Sequence, residues 1–243
     1  MSAGQAEAAF EESANLGAPD AIAKSPWVVM KFGGTSVSST SSWETIAQLV
    51  KARLDNGFRP VIVHSALKGV SDALEGILED AIKGDVAARL KQIRRQHYEL
   101  AADLGLDASA LLEERLYELE QLIAGVRLVR EVSVRVRVRV MALGELLATT
   151  LGAAFLASKG LPAHWMDARD LLTSRPRQRS NPVTDYLSAT CDYAADAELA
   201  EKLAGQGGVV LTQGFIARNT SGETVLLGRG GSDTSAAYFA GKL

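Results

Sequence analysis

The chain has 243 residues, of which 47% are hydrophobic and 23% charged, a balance typical of a globular protein with one or two domains. A formal net charge of −3 gives no reason to expect nucleic acid or an acidic membrane surface as a partner. The single cysteine, Cys191, excludes an intrachain disulfide, and we predict a small packed side chain in a reducing, cytoplasmic setting.

Residues 1–26 are rich in Ala, Ser and Glu, and they lack the basic start and apolar run of a signal peptide. We predict a mobile extension there, followed by one domain over residues 27–243. No window approaches the roughly 18 uninterrupted apolar residues of a membrane span, since Glu145 interrupts the apolar stretch at 142–157. We therefore expect no membrane partner.

The first folded segment alternates strand and helix patterns. VVMKF at 28–32 predicts a strand, and the stretch from Trp43 to Gly57 has apolar residues on one helical face. VIVHSA at 61–66 predicts a second strand. A strand, helix and strand of this length indicate a right-handed βαβ unit with parallel pairing.

Residues 70–159 carry helical periodicity with one ambiguous piece, VSVRVRVRV at 132–140. Its strict alternation is typical of a strand, but it runs without a turn signal into MALGELLATTLGAAFLASKG. We favour a helix. In the same region we expect His97, within a charged helix, to lie on the surface, and we interpret His64 and His164 as packed strand residues.

Strand patterns return at 163–168, 208–215 and 224–228. The pattern as a whole predicts an α/β fold, a three-layer sandwich with a mostly parallel central sheet. Between these strands, TSRPRQRSNP at 173–182 is interpreted as a solvated loop in preference to an anion site. Its basic residues are Arg175, Arg177 and Arg179.

Two glycine-rich stretches follow strands, KFGGTS at 31–36 and LGRGGSDTSAAYFAGKL at 227–243. In the second, Ser232 and Asp233 are placed to cap a helix, and a helix start behind glycines is also an anion site. Neither stretch is a P-loop, because Lys31 precedes its glycines, and neither is the GxGxxG of dinucleotide-binding folds.

KFGGTS, the Gly144–Glu145 pair in ALGELLAT, TQGFIA at 212–217 and LGRGGSD at 227–233 together resemble the aspartokinases, within the amino acid kinase family. The resemblance covers residues 27–243. It implies transfer of a phosphoryl group from ATP, with Mg²⁺, to the side-chain carboxylate of L-aspartate, giving 4-phospho-L-aspartate on the way to lysine, threonine and methionine. It also implies a homo-oligomer in the full-length protein.

The resemblance assigns roles to individual residues. Lys31 and Asp233 would be catalytic, with Asp233 orienting Lys31. The acceptor would contact Ser65, Glu145, Arg229 and Ser232, and the phosphates would lie near Gly33, Gly34, Thr35, Ser36, Gly230 and Gly231. The residue types suit phosphoryl transfer, which depends on alignment and charge stabilisation. Thr35 and Ser36 serve the phosphate or cap the next turn, and the sequence leaves both open.

The chain departs from the family pattern at two points. SALKGVSD differs at Leu67 and Lys68, which weakens the role of Ser65, and residue 243 lies inside the helix that LGRGGSD opens. The resemblance implies further strands for the nucleotide, so we expect a domain incomplete at its carboxyl end, before most of the nucleotide site. Two alternatives remain: another amino acid kinase, acting on glutamate or acetylglutamate, or a non-catalytic acceptor-binding or assembly fragment.

Overall fold

Parallel strands form the central sheet of the structure, a computed structural model that describes residues 25–176 and 181–243. The strands are β1 (Trp27–Phe32), β2 (Arg59–His64), β3 (Ala163–Met166) and β4 (Val209–Gln213), and they lie in the order β1-β2-β4-β3. Because every pair is parallel, the carboxyl ends of the strands meet at one edge of the sheet. Ligands of such sheets bind at this edge.

Helices cover both faces of the sheet. In chain order they are α1 (Thr40–Asp55), α2 (Val70–Lys83), α3 (Ala87–Asp103), α4 (Ala108–Val129), α5 (Val134–Ser158), α6 (Pro182–Leu187), α7 (Ala197–Ala204) and α8 (Gly231–Lys242). Alternate strand residues divide between two cores: Ile62 and Leu211 pack with α1 and α5, whereas Val63 and Val210 pack with α7 and α8. Helices α2 to α4 extend the larger core. The predicted three-layer α/β sandwich is confirmed.

The ambiguous VSVRVRVRV segment is helical. Ser133 caps α5 by accepting a hydrogen bond from the N–H of Val136, and Val138 and Val140 are buried. The favoured interpretation is therefore confirmed. Among the described residues, α5 is the one helix long and apolar enough to cross a membrane, but 78% of its apolar stretch is buried inside the protein. A helix buried to this extent is typical of the core of a globular domain.

Several expectations need correction. His97 is not on the surface but fully buried, because it shares a face of α3 with Ile93, Leu100 and Ala101. The predicted strand at 208–215 ends at Gln213, and a short strand β5 (Ile216–Arg218) pairs antiparallel with β6 (Thr224–Leu226) in a separate hairpin. The sequence pattern also missed α6 and α7.

Two other expectations concern polar or small residues outside the helices. Cys191 is buried, and burial raises the pKa of its thiol to about 11, as expected for a packed and unreactive side chain. Arg175 forms an ion pair with Asp192 at the surface. Arg177 and Arg179 lie outside the described residues, as does nearly all of the predicted extension at 1–26.

Candidate functional site

A cleft of about 750 Å³ opens at the carboxyl edge of the sheet. The ends of β1 and β2, the first turns of α2, the inner face of α5 and the loop before α8 form its walls. Eight predicted site residues line it: Lys31, Ser65, Glu145, Arg229, Gly230, Gly231, Ser232 and Asp233. Residues as far apart in the chain as Lys31 and Asp233 thus face one cavity.

Lys31 and Asp233 form an ion pair in this cleft. Lys31 Nζ lies 2.7 Å from Asp233 Oδ1, with the two side chains 28% and 73% exposed. Lys31 is the next-to-last residue of β1, and Asp233 lies in the first turn of α8. The pair therefore joins the two glycine-rich stretches and keeps a cation at the point where strand β1 ends.

The turn after Lys31 lies beside the cleft and not in its wall. Gly33 accepts a hydrogen bond from the N–H of Ser36 at 2.9 Å, and both Thr35 and Ser36 are exposed. A Cβ on Gly34 would come within 2.7 Å of the Ala66 carbonyl oxygen, so only glycine allows this approach between the β1 and β2 ends. The predicted phosphate contacts of Gly33, Gly34, Thr35 and Ser36 stay predictions.

The loop before α8 is shaped by glycine conformations. Gly228 and Gly230 have positive φ angles of 76° and 70°, and Gly230 occupies the N-cap position without any side-chain cap. The expected capping by Ser232 or Asp233 is therefore wrong, because α8 begins one residue earlier, at Gly231. Asp233 instead lies in the first turn, where a carboxylate suits the helix dipole.

Arg229 stands on this loop as an exposed side chain. It makes no hydrogen bond or ion pair with any other described residue. A guanidinium in this state retains all its donors for a carboxylate ligand.

Glu145 forms the floor of the cleft. Its side chain is almost fully buried, Oε1 accepts a hydrogen bond from the Ala66 N–H at 3.1 Å, and Oε2 has no partner among the described residues. Burial raises its pKa from 4.5 to about 8. A cationic ligand at Oε2 would favour the ionised form and supply the missing partner.

The glycine before Glu145 has a packing reason. A Cβ on Gly144 would lie 2.9 Å from the Ala66 Cβ and 3.1 Å from the Leu74 Cδ1. The absence of a side chain lets α5 approach the segment that follows β2. That approach brings the Glu145 carboxylate within hydrogen-bonding distance of Ala66.

The TQGFIA motif at 212–217 packs against the glycine loop that precedes α8. Phe215 has a positive φ of 69°, and its N–H donates to Ser235 Oγ at 2.9 Å, which in turn donates to the Gly231 carbonyl at 2.8 Å. A Cβ on Gly214 would lie 2.5 Å from that of Ser232. The end of β4 is therefore locked to the start of α8.

Sequence reasoning missed several residues of the cleft wall. They are Ser71, Asp72 and Glu75 of α2, Arg137 and Met141 of α5, and Leu187, Ser188, Phe215, Leu226 and Gly228. Arg137, Met141 and Glu145 follow one another at four-residue spacing, a signal that the helical assignment of this segment made available. Arg137 is held by an ion pair with Glu75 across the cleft mouth.

Within the part of the chain that the structure describes, no three His, Cys, Asp or Glu side chains form a group that could hold a metal ion. Besides Glu145 at the floor, the cleft is lined by Asp72 and Glu75, one turn apart on α2, and by Asp233 on α8. Single carboxylates of this kind suit Mg²⁺ that is bound mainly by nucleotide phosphates.

A profile of the amino acid kinase family matches residues 26–243. The chain is 33% identical to the aspartokinase of Chlamydia trachomatis, covering 87% of this chain and 45% of that protein. It is 31% identical to the lysine-sensitive aspartokinase 3 of Escherichia coli, covering 88% and 46%.

The fold is similar to that of a solved structure, E. coli aspartokinase III in complex with aspartate and ADP. The TM-score is 0.70 at 28% identity, covering 88% of this chain and 46% of that one. The same enzyme in complex with lysine and aspartate gives a TM-score of 0.65. The chain thus spans less than half the length of these relatives.

Proposed function

Because the chain belongs to the amino acid kinase family, we propose that it is the acceptor-binding part of an aspartate kinase. The reaction is transfer of the γ-phosphoryl group of ATP to the side-chain carboxylate of L-aspartate. The observation that carries this proposal is the Lys31–Asp233 ion pair in the same cleft as Glu145 and Arg229. Aspartate kinases at about 30% identity over nearly the whole chain support it.

The acceptor needs one partner for each of its charged groups. Glu145 Oε2, buried and unpaired among the described residues, receives the α-ammonium at the cleft floor. Arg229 binds the α-carboxylate through parallel N–H donors. Ser65 and Ser232 add hydroxyl groups along the wall.

The transfer step needs charge stabilisation and no general base, since the attacking carboxylate is ionised at neutral pH. An oxygen of that carboxylate forms a bond to the γ-phosphorus while the bond from phosphorus to the departing ADP oxygen breaks. Lys31 stabilises the charge on the transferring group, and Asp233 holds Lys31 in orientation. Gly230 and Gly231 bring backbone N–H groups close to the phosphates.

Mg²⁺ would accompany ATP and would neutralise charge on its phosphates. We further propose that the reaction serves lysine, threonine and methionine biosynthesis in the cytoplasm, within a homo-oligomer of the full-length protein. Residues 27–243 supply the acceptor side of that domain. The glycine turn at Gly33, Gly34, Thr35 and Ser36 borders the phosphate position.

A hydroxamate assay tests this proposal. The chain is incubated with MgATP and L-aspartate, and hydroxylamine traps the acyl phosphate. We expect an aspartate-dependent signal that falls by about a hundredfold or more in Lys31→Ala, because the cation at the phosphoryl group is lost. Lys51→Ala is the matched control, since Lys51 pairs with Asp55 on the surface of α1.

Three outcomes contradict parts of the proposal. A signal with glutamate in place of aspartate would indicate another amino acid kinase. Full activity of Lys31→Ala would remove the catalytic assignment. A folded chain without any signal would show that the chain does not catalyse the reaction by itself. Calorimetry with L-aspartate would then show whether the acceptor site is formed, and Arg229→Ala is the variant expected to lose aspartate binding.

A further inference from the structure

A second polar cluster lies behind the cleft, where α5, α6 and the β5–β6 hairpin meet. We call Arg135, Tyr186 and Glu223 the tyrosine cluster. Arg135 Nε donates to Tyr186 Oη at 2.9 Å, and Arg135 Nη2 lies 2.9 Å from Glu223 Oε1. The Tyr186 hydroxyl in turn donates to Glu223 Oε2, so Tyr186 Oη accepts one hydrogen bond and donates another.

Each side of the tyrosine cluster is fixed further. The Arg135 guanidinium stands 5.7 Å from the centroid of the Tyr186 ring. Glu223 Oε2 also accepts from Asn219 Nδ2 at 3.0 Å, within the hairpin turn. Three segments far apart in the chain are therefore joined at one tyrosine hydroxyl.

The chain runs from this cluster directly into the cleft wall. Leu187 and Ser188 follow Tyr186, and both line the cleft. Glu223 precedes β6, which ends in Leu226 and leads to Arg229 through the glycine loop. The Tyr186 hydroxyl thus joins the starts of two segments that lead into the acceptor site: Leu187 and Ser188, and the loop between β6 and Arg229.

Those two parts contact each other. The Ala189 N–H donates to the Leu226 carbonyl at 2.8 Å, and a Cβ on Gly228 would lie 3.2 Å from Ser188 Oγ. Ser188 therefore supports the outside of the loop that carries Arg229. Ser188 is the C-cap of α6, and its N–H donates to the Thr184 carbonyl at 2.9 Å. The helix has six residues, and none of them is fully buried. A helix this short has no stability of its own.

We propose that Tyr186 is a positioning residue for the acceptor, acting through Ser188 on the loop that carries Arg229. Its hydroxyl fixes the end of α6 against Glu223 and Arg135, and this keeps Gly228 and Arg229 in place for the acceptor carboxylate. The inference rests on the proposed function, since it takes L-aspartate as the ligand of Arg229.

Calorimetry with L-aspartate on the full 243-residue chain tests this inference. Tyr186→Phe removes the hydroxyl and keeps the ring, and we expect its dissociation constant to rise about fivefold, the effect of a lost positioning hydrogen bond. Tyr117→Phe is the matched control, because Tyr117 is an exposed tyrosine on α4 away from the cleft. Glu223→Gln weakens the same cluster from its other side and should also reduce affinity.

A double-substitution cycle separates positioning from general structural damage. If Tyr186 acts through Arg229, Tyr186→Phe should change affinity by less than about twofold in the Arg229→Lys background. An equal fivefold loss in both backgrounds would overturn the inference, and so would wild-type affinity of Tyr186→Phe. Should Tyr186→Phe fail to fold, Glu223→Gln takes its place in the same cycle. Absence of any aspartate binding by the wild-type chain would overturn the proposed function, and this inference with it.

Discussion

The floor and the rim of the cleft are built by different physical means. Glu145, at the floor, sits on a core helix with its side chain buried and one oxygen fixed by the Ala66 N–H. Arg229 and Asp233, at the rim, are exposed and take their positions from a backbone loop with two left-handed glycines. Burial in the core therefore positions the floor residue, whereas backbone conformation positions the residues of the rim.

This difference separates two roles. A buried carboxylate stands in a low-dielectric site, where a cationic partner is worth far more than in water, but the same burial costs stability while the carboxylate is ionised. Exposed charges at the rim contribute little to folding because water screens them. Substitutions at the floor should therefore change stability and pH response, whereas substitutions of the exposed charges at the rim should mainly change ligand binding.

The largest stability effect is expected from Glu145→Gln. Burial raises the pKa of the Glu145 carboxyl from 4.5 to about 8, so between these pH values the native state binds one proton more than the unfolded state. Wild-type stability should fall as pH rises through this window and level off above it. Glutamine does not titrate. Between pH 5 and 8.5 the free energy of unfolding of the variant should therefore rise by on the order of a few kcal/mol relative to wild type.

Urea unfolding of both proteins at several pH values measures this effect. The buried His64 and His97, whose pKa values burial lowers to about 4, are present in both proteins and cancel in the difference. Parallel pH curves for the two proteins would contradict the buried, unpaired state of the carboxylate. Aspartate affinity should drop in the variant at every pH.

A matched pair of glycine substitutions compares floor with rim directly. At Gly144 a new Cβ meets the Ala66 Cβ at 2.9 Å, and we expect Gly144→Ala to cost about 1–3 kcal/mol from crowding. At Gly230 a Cβ finds open space, so Gly230→Ala should cost only about 1 kcal/mol from its left-handed backbone.

Urea unfolding gives both free energies, and calorimetry with L-aspartate gives the accompanying change in binding. We expect Gly230→Ala to lose more affinity per kcal/mol of stability than Gly144→Ala. If Gly144→Ala instead lost more affinity per kcal/mol, the rim loop would be held by packing and the floor by local conformation.

The separate motifs of the sequence contributed many residues of the cleft lining because the sheet is parallel. Short apolar runs place Lys31 and Ser65 at strand ends, and parallel pairing brings such ends together. The motif at 227–233 added the loop, and the Gly144–Glu145 pair added the floor. Their convergence in one cleft required the tertiary fold, which the order of motifs implied only through family resemblance.

The remaining features depend on contacts that one chain segment does not encode. Ser232 and Asp233 predict the start of α8, but Gly230 takes the cap position, and Gly231 lies so close to Phe215 that a Cβ would be 2.6 Å from its ring. Arg135, Arg137 and Arg139 read as one alternating run, yet their acidic partners are Glu223, Glu75 and Glu118 on three different elements. The local sequence pattern favours the helix α5, but only tertiary packing assigns a different ion-pair partner to each of the three arginines.

The smallest stability effect is expected at the rim, in Asp233→Asn. Asp233 is 73% exposed, and pairs of exposed charges contribute about 0–1 kcal/mol, so urea unfolding should barely change. Phosphoryl transfer should nevertheless fall, because Lys31 loses the carboxylate that orients it. A stability loss comparable to that of Gly144→Ala would show that the ion pair holds α8 against β1. In that case the rim, too, would contribute to the stability of the fold, and the division of roles between burial and backbone conformation would fail at an exposed residue.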